Sequence, residues 1–152
     1  MRNGSTPPRR DLLLVGAQFL LLAGVLFAPR PFAIAAPGAW RLGFAVGKYL
    51  SLAFGAVAAL QLGSSLTPWP SPRAGASLVT EGVYAVARHP IYAALLAFSF
   101  ATALGEGSPV KLAFAVALAA LIAEKVRYEE RLLAARYPRY TAYAKRVKRF
   151  GL

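Results

Sequence analysis

The chain has 152 residues, enough for one domain of ordinary size. Hydrophobic residues make up 57% of it and charged residues 16%, whereas a soluble domain carries about a quarter charged residues. This composition indicates an integral membrane protein. The net charge is +12, and the cationic residues flank long apolar runs. We therefore expect them to face the anionic surface of a membrane, and we expect no nucleic acid as a partner. Cysteine is absent and histidine occurs once, which excludes thiolate and multi-histidine metal sites, and no metal is expected.

Apolar runs divide the chain into three predicted regions and predict an all-α, integral membrane bundle of about four transmembrane helices. Residues 1–10 are polar and are predicted to be a flexible tail. Residues 11–62 are predicted to form two transmembrane helices. Residues 63–152 are predicted to hold a loop, a helical hairpin and a cytoplasmic C-terminal helical extension. The apolar runs are Leu12–Ala28, Leu42–Leu62, Ile91–Leu104 and Val110–Ala123.

The first apolar run could also be a secretory signal, because 33–35 reads Ala-Ile-Ala and resembles a cleavage site. The run is longer than a usual signal core, so we interpret it as a span.

The second apolar run carries small residues at every fourth position. Such a ridge lets another helix approach closely in lipid. Packing within the monomer is the favoured interpretation, and an oligomer through this face is the alternative. Lys48, inside the same run, is predicted to snorkel to the head groups, with a polar cavity as the alternative. The small residues of this face are Gly43, Gly47, Ser51 and Gly55.

Positive charges divide unequally between the two ends of the predicted bundle. The two loops at one end hold Arg30, Arg41 and Lys111, whereas nearly all other cations lie in the tail, the 63–90 loop and the segment after Ala123. By the positive-inside rule this second end is cytoplasmic. Both termini are therefore predicted to be cytoplasmic, with the protein in a plasma or inner membrane.

A first polar cluster stands where the 63–90 loop enters the third apolar run. Pro90 suits the first turn of a helix, where its missing N–H costs nothing, and this places His89 near the N-cap. Tyr92 then lies in the first turn. An interfacial belt of Tyr and Arg explains this cluster equally well when it is taken alone. Its members are Tyr84, Arg88, His89, Pro90 and Tyr92.

Glu129 and Glu130 form a second polar cluster, on the helix predicted to leave the fourth span. Helical spacing places Val126, Glu130 and Leu133 on one stripe, with Glu129 beside it. Carboxylates that border an apolar stripe are unfavourable unless they meet a cation or hydrogen-bond donors. Surface ion pairing, such as Lys125 with Glu129, is the simpler interpretation of the spacing.

The stretch Leu78–Phe150 combines both clusters in a fixed order. Its segments are Glu81-Gly82-Val83-Tyr84, Arg88-His89-Pro90-Ile91-Tyr92, an apolar hairpin, Glu129-Glu130, Tyr137-Pro138-Arg139-Tyr140 and Val147-Lys148-Arg149-Phe150. This stretch resembles the integral membrane methyltransferases that include isoprenylcysteine carboxyl methyltransferase and the phospholipid methyltransferases. Residues 63–152 are therefore interpreted as a methyltransferase-like core. The first half of the chain carries no such motif, and we expect it to supply only spans.

The resemblance implies S-adenosylmethionine as methyl donor, held at the cytoplasmic helix ends. Carboxylates suit its ammonium and ribose hydroxyls, and His89 with Arg88 could hold its carboxylate. His89, Arg88 and Tyr92 are the implied catalytic residues, and His89 could also take a proton from an amine acceptor. The implied cofactor-binding residues are Tyr84, His89, Pro90, Tyr92, Glu129 and Glu130.

The acceptor is less closely defined. The family's functional arginine before the paired glutamates falls on either Lys125 or Arg127, so both are candidate substrate-binding residues. The family often has glycine after the tyrosine of the Arg-His-Pro motif, where this chain has Ala93 and Ala94. A lipid-like or amphiphilic small molecule that reaches the site from the surrounding membrane lipids is implied. Carboxylate, amine, thiol and phenol acceptors all remain open.

Two alternative functions follow from the same residues. A membrane sterol-reductase-like enzyme would bind a nicotinamide dinucleotide through a similar His-Pro segment, but that motif usually continues to Gly-Glu, which is missing here. A non-enzymatic membrane scaffold would explain the apolar runs but not the coincidence of two polar clusters. Cofactor titration of the purified protein distinguishes the three.

Overall fold

The computed structural model describes residues 7–35 and 37–151, and within them the protein is all-α, as predicted. The first six residues of the predicted tail lie outside the described part. Arg9 and Arg10 are helical, because the first helix begins directly after Pro8. The helices are α1 (Arg9–Phe27), α2 (Gly38–Leu62), α3 (Pro90–Gly105), α4 (Pro109–Arg136) and α5 (Tyr140–Arg146).

Proline fixes the start of both helices of the hairpin. Pro90 is the first residue of α3 and His89 is its N-cap, as the sequence predicted. Pro109 begins α4, whose N-cap Ser108 accepts a hydrogen bond from the Lys111 N–H at 3.3 Å. The hairpin turn needs glycine at 107, where φ is +58° and a Cβ would collide with the Ile34 carbonyl. From Pro109, α4 continues unbroken to Arg136, also as predicted.

Neighbouring helices run in opposite directions. Arg10, at the start of α1, lies 2.6 Å from Glu124, while the Lys111 ammonium donates to the Leu26 carbonyl, 2.9 Å away at the far end of α1. The same alternation relates α2 to α3, since an added Cβ on Gly105 would lie 3.0 Å from the Phe44 side chain. The start of α1 and the end of the hairpin's second helix therefore share one end of the bundle.

Two helical stretches are long and apolar enough to cross a membrane, Arg9–Phe27 and Gly38–Ser65, the second being α2 with the 3-10 turn that follows it. Large apolar side chains on both face outwards; Leu20 is 73% and Leu60 is 80% exposed. The apolar helix α3 has 16 residues, or about 24 Å of helix. Helices with this exposed apolar surface belong in a bilayer, and the four-span count stays a prediction.

Part of the ridge of small residues on α2 packs against another helix of the same chain. Ser51 is buried, and a Cβ on Gly55 would lie 3.0 Å from the Cβ of Ala94 on α3, so close packing in the monomer explains this half. Around Gly43 and Gly47 an added Cβ would meet nothing within 4 Å. An oligomer through this part of the face stays a prediction.

Candidate functional site

A cavity of about 360 Å³ lies at the end of the bundle that holds the start of α1. Its apolar lining includes Leu62, Leu66, Trp69, Pro70, Ile91 and Leu133. Its polar lining comes from α1, α3, α4, α5 and the turn before α3, and includes Gln18, Tyr84, His89, Tyr92, Lys125, Glu129 and Tyr140. One cavity thus offers both an apolar surface and convergent polar groups, which is the usual composition of a small-molecule site.

The hairpin brings the two polar clusters of the sequence into contact. The Tyr92 hydroxyl donates a hydrogen bond to Glu129 Oε2 at 2.8 Å. Burial raises the pKa of the Glu129 carboxyl, and His89, Tyr92 and Lys125 offset part of that rise. The predicted surface ion pair is wrong, because the Lys125 ammonium instead contacts Gln18 and Pro68. Glu129 is therefore a carboxylate at a cavity wall.

Glu130 faces a different set of partners from its neighbour. It accepts hydrogen bonds from Arg88 at 2.6 Å and from Arg149 at 2.7 Å, and His89 Nε2 lies 3.4 Å from its Oε1. Burial alone would raise the pKa of Glu130, but His89, Arg149 and Arg88 outweigh it and lower the pKa well below the usual range. Glu130 is not among the residues that line the cavity, which departs from the predicted cofactor wall of two glutamates.

Arg88 joins the start of α3 to the C-terminal segment. Besides Glu130, its guanidinium donates to the carbonyls of Ala144 at 2.5 Å and Val147 at 2.6 Å. The adjoining backbone pairs as well, since the His89 N–H donates to the Arg149 carbonyl at 2.8 Å. Four of the five N–H groups of Arg88 thus have partners, and its side chain holds the cavity wall in place.

His89 is a buried ring at the same wall. It is 5% exposed and stacks on Tyr92, with ring centroids 5.6 Å apart. Within residues 7–35 and 37–151, the Tyr140 hydroxyl has no hydrogen-bond partner, and His89 Nε2 has none beyond its long 3.4 Å contact with Glu130 Oε1. Both side chains line the cavity. Buried polar atoms are almost always hydrogen-bonded in folded proteins, so these two atoms point to a ligand.

Tyr84 and Pro90, two more of the predicted cofactor-binding residues, also line the cavity. The Tyr84 hydroxyl donates to the Ala58 carbonyl at 3.2 Å, and the Tyr143 hydroxyl donates to the Tyr84 carbonyl at 2.5 Å. Burial raises the pKa of the Tyr84 hydroxyl far above its ordinary value. Tyr84 therefore links α2, the turn before α3 and α5.

The two candidates for the family's arginine position lie in different environments. Lys125 is 1% exposed and donates to Gln18 Oε1 at 2.7 Å and to the Pro68 carbonyl at 3.1 Å. Burial lowers the pKa of its ammonium, against opposing effects of Glu129 and Asp11. Arg127 is exposed, lies 3.9 Å from Glu124 and does not line the cavity.

Sequence reasoning missed the contribution of α1 and of the proline-rich segment 68–72. Gln18 of α1 lines the cavity, and the fully buried Asp11 accepts a hydrogen bond from the Ser71 N–H at 3.2 Å. The expectation that the first half supplies only spans is therefore wrong. The available signals were the amide of Gln18 within an apolar run and the tryptophan among the prolines of the loop.

The fold is that of a helical membrane protein with a partly polar cavity at one end of its bundle. The family model described as phospholipid methyltransferase matches residues 44–140, and this chain belongs to that family. The match begins well before Leu78, where the resemblance of individual motifs begins. It confirms the family identified from the sequence.

Two curated relatives match about half of the chain. The chain is 43% identical over 72 residues to protein-S-isoprenylcysteine O-methyltransferase B of Arabidopsis thaliana, covering 46% of this chain and 36% of that protein. It is 36% identical over 81 residues to the cobalt-zinc-cadmium resistance protein CzcN of Cupriavidus metallidurans, covering 53% of this chain and 38% of that protein. The matches thus span little more than a third of each relative.

Proposed function

We propose that this protein is an integral membrane methyltransferase that moves a methyl group from S-adenosylmethionine to a lipid-like or amphiphilic acceptor. The observation that carries the proposal is the Glu129 carboxylate with its Tyr92 hydrogen bond, at the wall of a cavity that is also lined by His89 and by Tyr140, whose hydroxyl has no hydrogen-bond partner among the described residues. Membership of the phospholipid methyltransferase family supports the reaction class.

The polar lining matches the functional groups of this cofactor. Glu129 would bind the ammonium or the ribose hydroxyls. His89 Nε2 and the Tyr140 hydroxyl would donate to the carboxylate. Bound S-adenosylmethionine supplies an electrophilic methyl group on a sulfonium. Because the transfer itself needs little acid–base chemistry when the acceptor is an anion, the tasks of this chain are alignment and exclusion of water.

Arg88, Tyr92 and Glu130 have different tasks in this proposal. Tyr92 orients the Glu129 carboxylate through its hydroxyl and carries the stacked ring of His89. Arg88 and Glu130 act as positioning residues, since they fasten the start of α3 to the C-terminal segment. The cofactor wall then consists of Tyr84, His89, Pro90, Tyr92 and Glu129, with Glu130 behind it.

An amphiphilic acceptor suits the apolar part of the cavity. Leu62, Leu66 and Trp69 line it beside the polar wall, so one end of a molecule can be apolar while the other meets the polar groups. The Arabidopsis relative is named for O-methylation of isoprenylcysteine, which supports a lipid-modified or lipid-like acceptor class here. Lys125 is the buried cation that an anionic acceptor group would meet, and Arg127 is too exposed for this task.

We propose that the chain crosses the membrane four times, with both termini and the site on the cytoplasmic side. Residues 63–152 would form the methyltransferase core, and α1 would contribute further residues to its site. The alternation of helix directions supports an even number of crossings. Arg10 contacts Glu124 and Arg149 contacts Glu130 at the same end of the bundle. The excess of cations at this end supports the cytoplasmic assignment.

The test uses the full chain purified in detergent. Calorimetric titration with S-adenosylmethionine should show binding, and NADPH titrated in parallel should show none. Incubation with cofactor labelled in the methyl group and with extracted membrane lipids should then label a lipid fraction. Binding of NADPH instead, or no binding of either cofactor to folded protein, would contradict the proposal.

A further inference from the structure

A second cavity lies between α2 and α3, at the end of the bundle opposite to the candidate methyltransferase site. Its volume is about 430 Å³, and both helices line it. Its charged lining consists of Arg41, Lys48 and Glu106. Nothing in the proposed methyl transfer uses this cavity, because the Gly105 end of α3 is the end remote from His89.

The cations of this cavity share one face of α2. Arg41, Ala45 and Lys48 follow each other at helical spacings of four and three, and all three line the cavity. Two turns of helix separate the cations by about 10 Å along the axis. The long side chains of arginine and lysine can reach a common ligand over that distance.

The negative charge in the lining is already neutralised. Glu106 lies 2.9 Å from the Lys111 ammonium and 3.5 Å from the Arg30 guanidinium. Within the described ranges 7–35 and 37–151, no hydrogen bond or ion pair involves the ammonium of Lys48, which lies 5.2 Å from the centroid of the Tyr49 ring. The cavity therefore carries an excess of positive charge, which a bound anion would balance.

We propose that this cavity binds the phosphate of an anionic membrane lipid, with Arg41 and Lys48 as its ligands. Lys48 lies six residues, or about 9 Å, inside the apolar run that begins at Leu42, and a cation within a span needs a counter-charge. Leu42 lines the cavity and is 67% exposed, and Val46 on the same span is 49% exposed. These side chains offer the acyl chains an apolar surface directly beside the cations, which free phosphate would not use.

The test measures lipid binding by native mass spectrometry of the full chain in a neutral detergent. Dihexanoyl phosphatidylglycerol should bind, and Arg41→Gln combined with Lys48→Gln should weaken this binding at least tenfold. The charge-preserving pair Arg41→Lys and Lys48→Arg should restore most of it. Arg131→Gln, which removes an exposed cation at the other end of the bundle, is the matched control and should bind as the unchanged protein does.

Competition separates the possible anions. Inorganic phosphate should displace the lipid poorly at equal concentration, and dihexanoyl phosphatidylcholine, which has no net charge, should bind more weakly. Displacement by inorganic phosphate, equal binding of phosphatidylcholine, or full binding by the glutamine pair would each overturn the proposal. Affinity for S-adenosylmethionine should stay unchanged in the glutamine pair, so failure here is distinguishable from failure of the methyltransferase proposal.

Discussion

Glu129 and Glu130 are neighbours on α4, yet they bind different groups. The Glu129 carboxylate accepts the Tyr92 hydroxyl hydrogen bond at the cavity, whereas the Glu130 carboxylate lies between the guanidinium groups of Arg88 and Arg149. Consecutive residues of an α-helix point about 100° apart, and here this rotation directs Glu129 to the cavity and Glu130 to the two guanidinium groups. The pair therefore divides into a carboxylate that lines the cavity and a carboxylate that holds its wall.

We predict that Glu129→Gln weakens S-adenosylmethionine binding without unfolding the protein. The substitution keeps the size of the side chain but removes the charge that would hold a cationic ligand group. A hydrogen bond to a charged group contributes about 1.5–3 kcal/mol, so affinity should fall roughly ten- to a hundredfold. Calorimetry measures this affinity, and circular dichroism should show an unchanged helix content. Unchanged affinity would assign the carboxylate to structure alone.

The same carboxyl gives the predicted binding a pH dependence. Burial raises the pKa of Glu129 above its ordinary value, so the ionised form that binds a cation is present above the raised pKa and is lost as the pH falls through it. Affinity for S-adenosylmethionine should therefore decline as the pH falls, and this decline should begin at a higher pH than it would with an exposed glutamate. In Glu129→Gln this acidic decline should disappear, which is the internal control.

Glu130→Gln should act mainly on stability. It removes the anion that the Arg88 and Arg149 guanidinium groups share, with hydrogen-bond distances of 2.6 and 2.7 Å. Loss of hydrogen bonds to charged groups costs about 1.5–3 kcal/mol, discounted because Arg149 is partly exposed. The melting temperature of the detergent-solubilised protein should fall by several degrees. Glu130→Asp is the control that keeps the charge, and a melting temperature unchanged in Glu130→Gln would contradict the structural role.

Helices and the hairpin could be predicted from sequence because their signals are local. Pro90 and Pro109 each mark a helix start, and the apolar runs fix the helices between them. The short turn between Gly105 and Pro109 is also a local feature, and by folding α3 back on α4 it brings Tyr92 to Glu129. These features need no knowledge of distant contacts.

The rest of the site depends on contacts between residues far apart in the chain. Gln18 reaches Lys125 across 107 positions, and Asp11 reaches Ser71 across 60. No local pattern marks such pairs, since a single polar residue in an apolar run fits many environments. The different partners of Glu129 and Glu130 could not be predicted for the same reason, because one of the partners of Glu130 is Arg149 from the C-terminal segment.

Both termini should lie in the cytoplasm, with four crossings between them. The structure places Arg10 and Arg149 at the same end of the bundle, and the positive-inside rule assigns that end to the cytoplasm. Reporter fusions at Met1 and at Leu152 measure the location of each end, with a fusion in the Gly105–Pro109 turn as the control for the opposite side. Opposite locations for the two termini would contradict the four-span topology.

Lys125 and Arg127 form a matched pair for testing how the acceptor is bound. Lys125→Met should raise KM for an anionic acceptor about tenfold or more, because a buried cation is lost from the cavity lining. Arg127→Met should change it little, since this guanidinium is exposed and outside the cavity. Steady-state kinetics with the labelled lipid fraction gives both values. Equal effects of the two substitutions would remove Lys125 from acceptor recognition.

His89→Ala should reduce turnover strongly while membrane insertion stays normal. The ring is buried against Tyr92, and among the described residues its Nε2 has only a long 3.4 Å contact with Glu130 Oε1, so we expect this atom to serve a bound ligand. Loss of a hydrogen bond to a charged ligand group corresponds to roughly a ten- to hundredfold lower kcat/KM. Methyl transfer from labelled S-adenosylmethionine measures turnover, and membrane fractionation measures insertion.

His89→Gln separates two tasks that the histidine could perform. The glutamine amide can donate a hydrogen bond but does not take up a proton at neutral pH. If His89 only positions the cofactor, His89→Gln should retain much of the activity that His89→Ala loses. If it also accepts a proton from an amine acceptor, both variants should be equally impaired. Full activity of His89→Ala would show that neither task belongs to this residue, and that the cluster at the start of α3 is an interfacial anchor.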